Sequence, residues 1–271
     1  MTMPDFYITD DDVVTGRRRF RIKPFGRSSG HEAAIIGGTL LSVLDNLTEQ
    51  NRMDVANSLE YATHVALQKT TEDEDFEKFW DEYMNCLFSI GWEKIQDEQA
   101  NLSLDETTSD TGTVCDFVID NIRNDPLYTE EEKDLVIQGL EIVRNQTSHR
   151  EFFRRFTVRK SRGLLGVSTA SVEDGVLKLR YSGFMFSCNA EVEDYFNTST
   201  AHIEFVARKE IVEARADQGT IDRLRAQIEE ELEQASGDYV SGISIATDVA
   251  TEQTVETGLW LFEPQSCINF W

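Results

Sequence analysis

The stretch from Asp73 to Lys94, DEDFEKFWDEYMNCLFSIGWEK, constrains the fold of this chain more than any other. Phe76, Phe79, Trp80, Tyr83, Met84, Leu87, Phe88 and Ile90 recur at steps of three and four. That is the period of a helix with a wide apolar face. Glu77, Asp81 and Glu82 lie opposite. Gly91 closes the run by supplying a left-handed residue, and Trp92 can fold back on the last turn. A helix this apolar on one side needs a large partner surface, so the rest of the chain must provide one.

With 271 residues, 40% of them apolar and 10% aromatic, the chain can bury a sizeable core. Net charge is -24, from 50 acids against 26 bases, and Arg outnumbers Lys. Such a surface repels phosphate backbones, so nucleic acid is not an expected partner. Many acids with little Lys also fits adaptation to a salty cytoplasm. Repulsion among exposed carboxylates predicts that stability rises between about 0.1 M and about 1 M KCl, as the Debye length falls from about 10 Å to about 3 Å. A melting temperature that is flat or falling over that range would remove the argument.

The chain is expected to divide into a flexible arm over 1–30, a helical half over 31–150 and a β-rich half over 151–271, with the two halves packed as one domain. Within the arm, an acidic segment precedes the basic run Arg17 to Lys23, and Pro24, Gly26 and Gly30 interrupt regular structure. Arg17, Arg18 and Phe20 also fit a twin-arginine export signal, although no A-x-A-like cleavage site follows. The chain is read as cytoplasmic, with export left open.

Helical spacing predicts a first helix over His31–Leu47 and a second over Asn51–Gln68. The organising helix comes next, and Trp92 to Leu104 reads as an extended connector or a strand. A fourth helix spans Thr111–Arg123. A fifth opens with Thr129 and Glu132 in capping-box spacing. Beyond about residue 155 the period changes to two. Strands are expected around Leu164–Val172, Val176–Cys188, Ala201–Val212 and Val240–Val249, with Glu173-Asp174-Gly175 as a turn. Within Val176–Cys188, Leu177, Leu179 and Tyr181 hold one parity and Phe184 and Phe186 the other, which suggests a bulge at Gly183. Ile221, Leu224, Ile228 and Leu232 form a narrow stripe on a helix over 218–236, expected to pack on the sheet. The fold class is therefore α+β: a helical N-terminal layer on a mostly antiparallel C-terminal sheet, with one amphipathic helix in the β-rich half.

The order F-x-x-F-W-x-x-Y, L-x-x-I-G-W, a strand ending in GFMF, then an acidic helix before SGISI, resembles an uncharacterised group of bacterial and fungal proteins. The resemblance covers most of the chain and implies no activity.

No motif names a reaction. Gly26-Arg27-Ser28-Ser29-Gly30 matches G-x-S-x-G, but no buried strand precedes it and no oxyanion stretch accompanies it, so Ser28 reads as a helix cap. His31, His64, His149 and His202 show no metal-ligand spacing. His202 with Glu204 could supply half a metal site, but a solvated strand face is the preferred reading. Cys86, Cys115, Cys188 and Cys267 are scattered and read as buried thiols. His149 to Arg159, HREFFRRFTVR, interleaves Phe152, Phe153 and Phe156 with Arg150, Arg154, Arg155 and Arg159. Such a patch can stack on bases, yet it reads better as a joint between the halves. Asn46, Asn101, Asn145 and Asn197 begin glycosylation sequons, and Asn46 is expected near a helix end. No catalytic, cofactor or metal residue is assigned. The expected function is non-enzymatic binding of a protein partner or a small apolar ligand. A secreted, membrane-active, virulence-type protein is the alternative, because Ile243 to Thr257 could form an amphipathic hairpin. An unrecognised hydrolase is the second alternative.

Overall fold

The computed structural model describes residues 32–70, 76–102, 112–159, 161–188, 196–197, 205–235 and 240–244. In chain order the elements are β1 (Glu32–Ile36), β2 (Thr39–Val43), α1 (Glu49–Lys69), α2 (Phe76–Ser89), β3 (Trp92–Leu102), α3 (Val114–Arg123), α4 (Glu130–Asn145) and α5 (Thr147–Thr157). Then come β4 (Val158–Arg159), β5 (Arg162–Glu173), β6 (Val176–Cys188), β7 (Phe205–Ala216), α6 (Gln218–Gln234) and β8 (Val240–Ser244). The eight strands form one sheet in the order β3-β7-β6-β5-β2-β1-β8, with β4 also on β5. Among the described residues, only β2 and β5 pair in parallel. The chain is thus α+β with a mixed, mostly antiparallel sheet.

The first expected helix, His31–Leu47, is a β-hairpin over its described length. Ala33, Ala34, Ile35 and Ile36 pair with Ser42, Leu41, Leu40 and Thr39, and all eight are buried. A run covered on both faces has no polar side, so its periodicity cannot tell strand from helix. Gly37 and Gly38 are the two-residue turn between the strands. Gly37 sits at φ +56°, and a Cβ there would stand 2.6 Å from Thr63 Cγ2 of α1. Asn46 consequently lies in the turn after β2, not at a helix end.

Double coverage also corrects the bulge expected at Gly183. Strand β6 passes through Gly183 in unbroken register with β5 and β7. Alternate residues of a strand point to opposite faces, and here both faces are buried. Leu177, Leu179, Tyr181 and Gly183 face α2, where a Cβ on Gly183 would stand 2.2 Å from the Trp80 ring. Phe184 and Phe186 lie on the other face. The sheet irregularity is in β3 instead, between Lys94 and Gln96.

The helices therefore split into two layers. The α1–α2 pair covers one face, with Trp80 edge-on to Tyr181 at 5.1 Å. Helices α3, α4 and α5 cover the other. The capping box expected at Thr129 and Glu132 closes α4, and Thr113 with Asp116 closes α3 in the same way.

Helix α6 packs on α1, which displaces the expectation that its stripe lies on the sheet. Arg225 Nε and Nη2 donate to the Asp54 oxygens at 2.7 and 2.8 Å, and Tyr61 of α1 donates to Glu231 at 2.8 Å. Ile221 and Ile228 are buried, while Leu224 and Leu232 are partly so. Leu224→Asp is expected to cost about 1–3 kcal/mol by burying an unpaired charge under α6, while Glu230→Lys on the exposed side should stay within about 0.5 kcal/mol. Equal losses for the two variants in urea unfolding would reverse the assigned orientation of α6.

Candidate functional site

Helices α1, α2 and α6 do not close completely against each other. They leave a cleft of about 340 Å³. Its floor is Val65 from α1, Cys86 and Ile90 from α2 and its end, and Leu224 and Ile228 from α6. Tyr61, Lys69, Asn85, Ser89 and Gln227 form the rim. The floor is apolar because these positions belong to the inward stripes of three amphipathic helices.

The polar groups of the rim are largely committed to one another. Tyr61 donates to Glu231 at 2.8 Å, and burial followed by that bond pushes its phenol up to about 12. Gln227 donates to the other Glu231 oxygen at 2.9 Å, and the bonds from Gln227 and Tyr61 hold Glu231 below the usual carboxylate range. Lys69 donates to Glu82 at 2.7 Å, which raises its ammonium above the ordinary value. Ser89 Oγ donates to the Cys86 carbonyl at 2.7 Å. Burial pushes the Cys86 thiol up to about 11. Near neutral pH the thiol stays protonated and is a poor nucleophile. A general acid or base works best with a pKa near the operating pH, and every shift in this cleft runs away from neutrality.

A second concentration of ionisable groups is buried on the other side of the sheet. Arg180 donates from Nη1 to Glu132 Oε1 at 2.7 Å and from Nη2 to Glu173 Oε1 at 2.5 Å. Lys178 bridges Glu173 at 2.7 Å and Glu213 at 3.2 Å. Burial alone would raise Glu173, but the bonds from Lys178 and Arg180 hold it below its ordinary value. Nearby, Lys209 pairs with Asp125 and stands 5.4 Å from the Phe184 ring centre. These groups fill the seam between α4 and the sheet and bond one another, with Arg180 Nε left without a hydrogen-bond partner.

Sequence reasoning did not find the cleft, and the residues it weighed without assigning a site lie elsewhere. Ser28, His31, His202, Glu204 and the run Arg17 to Lys23 lie outside the described residues, as do residues 245–257 of the Thr-rich segment. His64 Nε2 is 2.8 Å from Gln68 Nε2 on the exposed side of α1, and His149 is on α5, where burial lowers its pKa. Within HREFFRRFTVR, Phe153 is fully buried, Phe152 and Phe156 pack at 5.6 Å, and Arg154 and Arg155 are exposed. The Asn46 amide is used structurally, donating to the Val172 carbonyl at 2.9 Å and accepting from its N–H at 3.2 Å. Asn101, Asn145 and Asn197 are exposed. Among the described residues no group of three or more His, Cys, Asp or Glu could hold a metal ion, and no helix is long and apolar enough to cross a membrane.

No family model matches the chain, and no curated protein matches it. Several solved structures resemble it distantly, two of them as follows. One is described as a delta-endotoxin, with a TM-score of 0.35 at 11% identity over 66% of this chain and 80% of that one. The other is described as the Evf virulence factor, with a TM-score of 0.34 at 12% identity over 76% of this chain and 84% of that one.

Proposed function

We propose that this protein binds a small, mostly apolar molecule in the cleft between α1, α2 and α6, and that it performs no chemistry there. The observation that carries this reading is the combination of an apolar floor with a rim whose ionisable groups are locked away from neutrality. Tyr61 near 12 and Cys86 near 11 can neither take nor give a proton readily at pH 7. The volume of about 340 Å³ lies at the small end of the range for ligand pockets, roughly 300–1,000 Å³. The acidic body disfavours anionic ligands, so the molecule is neutral or cationic.

The test uses the neutral apolar fluorophore N-phenyl-1-naphthylamine. Saturable one-to-one binding is expected, and Leu224→Trp, which fills the cleft, should weaken it by at least about tenfold. Binding that the substitution leaves unchanged would place the probe elsewhere and sink the reading.

The Thr-rich stretch from Ile243 to Thr257 motivates a second reading, that of a secreted, membrane-active, virulence-type protein. The words endotoxin and virulence factor attach to the two distantly similar structures and not to this chain. Dye leakage from phosphatidylcholine vesicles separates the readings. Leakage that persists in Leu224→Trp favours the second, and intact vesicles with saturable fluorophore binding favour the first.

A further inference from the structure

The cleft between α1, α2 and α6 has two unlike ends. At one end Lys69 of α1 donates to Glu82 of α2 at 2.7 Å, so a positive and a negative group are already matched. Tyr61 marks the other end, two turns earlier on α1 and about 12 Å away at roughly 1.5 Å of rise per residue. Val65 lies between the two, and the span is apolar.

At the Tyr61 end the charge is not matched. Glu231 of α6 joins two residues that line the cleft. Its Oε2 accepts from the Tyr61 hydroxyl at 2.8 Å, and its Oε1 accepts from the Gln227 amide, one turn earlier on α6, at 2.9 Å. Both donors are neutral. Their bonds hold the carboxyl below its ordinary range, so it is ionised near neutral pH. The basic side chain that acts on it is His64, whose effect is the smallest of those named and whose ring contacts Gln68 at 2.8 Å. The carboxylate is felt on the cleft floor. Burial is the main cause of the raised Cys86 thiol, Lys69 opposes it, and Glu231 adds to it. Each oxygen of Glu231 accepts one of these two bonds, and a carboxylate offers about four lone-pair sites. Tyr61 and Gln227 belong to packed helices, so the acceptor is already oriented before a ligand arrives.

We propose that the cleft takes an apolar cation, a primary alkylammonium or arylalkylammonium, with its chain on the floor and its ammonium group donating to Glu231. The proposal rests on the cleft reading above and adds the charge and the position of the head group. An ammonium on a carboxylate makes a charge-assisted hydrogen bond, which is the stronger kind. A neutral chain of the same length gains only the floor. An anionic ligand meets Glu231 as a like charge, and the acidic body steers cations toward the site.

Octylamine and octanol share one chain and differ in charge at pH 7. Each is titrated into the full chain by calorimetry. Octylamine is expected to bind one-to-one and about tenfold or more tightly than octanol, a difference of about 1.4 kcal/mol. Glu231→Gln can donate to the Tyr61 oxygen and accept from Gln227, so it removes the charge and keeps the shape. It should bring the amine down to the level of the alcohol. Glu230→Gln takes an equal charge from the exposed side of α6 and should leave the ratio unchanged. An amine preference that survives Glu231→Gln belongs to the general surface charge and overturns the proposal. Equal affinities in the wild type also overturn it, and leave the apolar cleft reading standing. If neither compound binds, the proposal fails, and saturable fluorophore binding still decides the cleft reading. Should Glu231→Gln fail to fold by circular dichroism, Leu224→Trp decides. Filling the cleft should abolish the advantage of the amine, and an advantage that remains overturns the proposal.

Discussion

Trp80→Ala is expected to destabilise the protein by about 3–5 kcal/mol, the range for deleting a large buried aromatic. Trp80 is 3% exposed and spans the seam between α2 and the centre of the sheet. In a chain of this length about 1 kcal/mol moves the melting temperature by roughly 2–4 °C, so the loss is read easily by calorimetry. Its partner position provides the control. Gly183→Ala would drive a methyl to 2.2 Å from the indole, so the ring must shift, at a cost of about 1–3 kcal/mol. In the double variant the methyl occupies space the indole has left. The combined loss should therefore fall short of the sum by at least about 0.5 kcal/mol, the signature of residues in contact. Additive losses would mean that the indole does not rest on Gly183.

Lys209→Ala is the second large effect. It leaves Asp125, 4% exposed, without its cation. Removing one partner of a buried ion pair costs about 3–5 kcal/mol, because the other charge stays desolvated. The same principle predicts recovery: Lys209→Met with Asp125→Asn removes both charges and should regain most of the loss. Urea unfolding at neutral pH measures both variants. A Lys209→Ala loss under about 1 kcal/mol would place the pair in water rather than in the seam.

The parts of this fold that sequence reveals are those with one wet side. Helix α2 is legible because Glu77 and Asp81 face solvent while Phe79, Trp80 and Tyr83 do not, which leaves a clear helical period. The cap at Thr129 is legible because its partner Glu132 is three residues away, and the same spacing at Thr113 and Asp116 was an unread signal. The hairpin of β1 and β2 is not, because burial on both faces erases the pattern that separates strand from helix. Its turn glycines, Gly37 and Gly38, were the available signal. The same double burial makes the ordinary alternation of β6 look like a bulge at Gly183. Lys178 and Arg180, charged residues among the apolar positions of β6, were the available signal for the buried network. Glu132, the partner of Arg180, is 48 residues away, and no local rule connects the two. The cleft is illegible for a similar reason. Tyr61, Cys86 and Leu224 are ordinary amphipathic-helix residues until α6 returns to α1.

The parallel seam between β2 and β5 has a consequence for biosynthesis. Thr39 pairs with Gly166 and Val43 with Ala170, so the hairpin leaves the ribosome about 125 residues before its neighbour on that side. At roughly 5–20 residues per second, that is a wait of about 6–25 s. Its other neighbour, β8, arrives later still. Throughout that interval Ala33 to Val43 is an apolar ribbon with two open edges, the kind of segment that attracts chaperones or aggregates. Slowing translation ahead of residue 162 should therefore lengthen this exposure rather than relieve it.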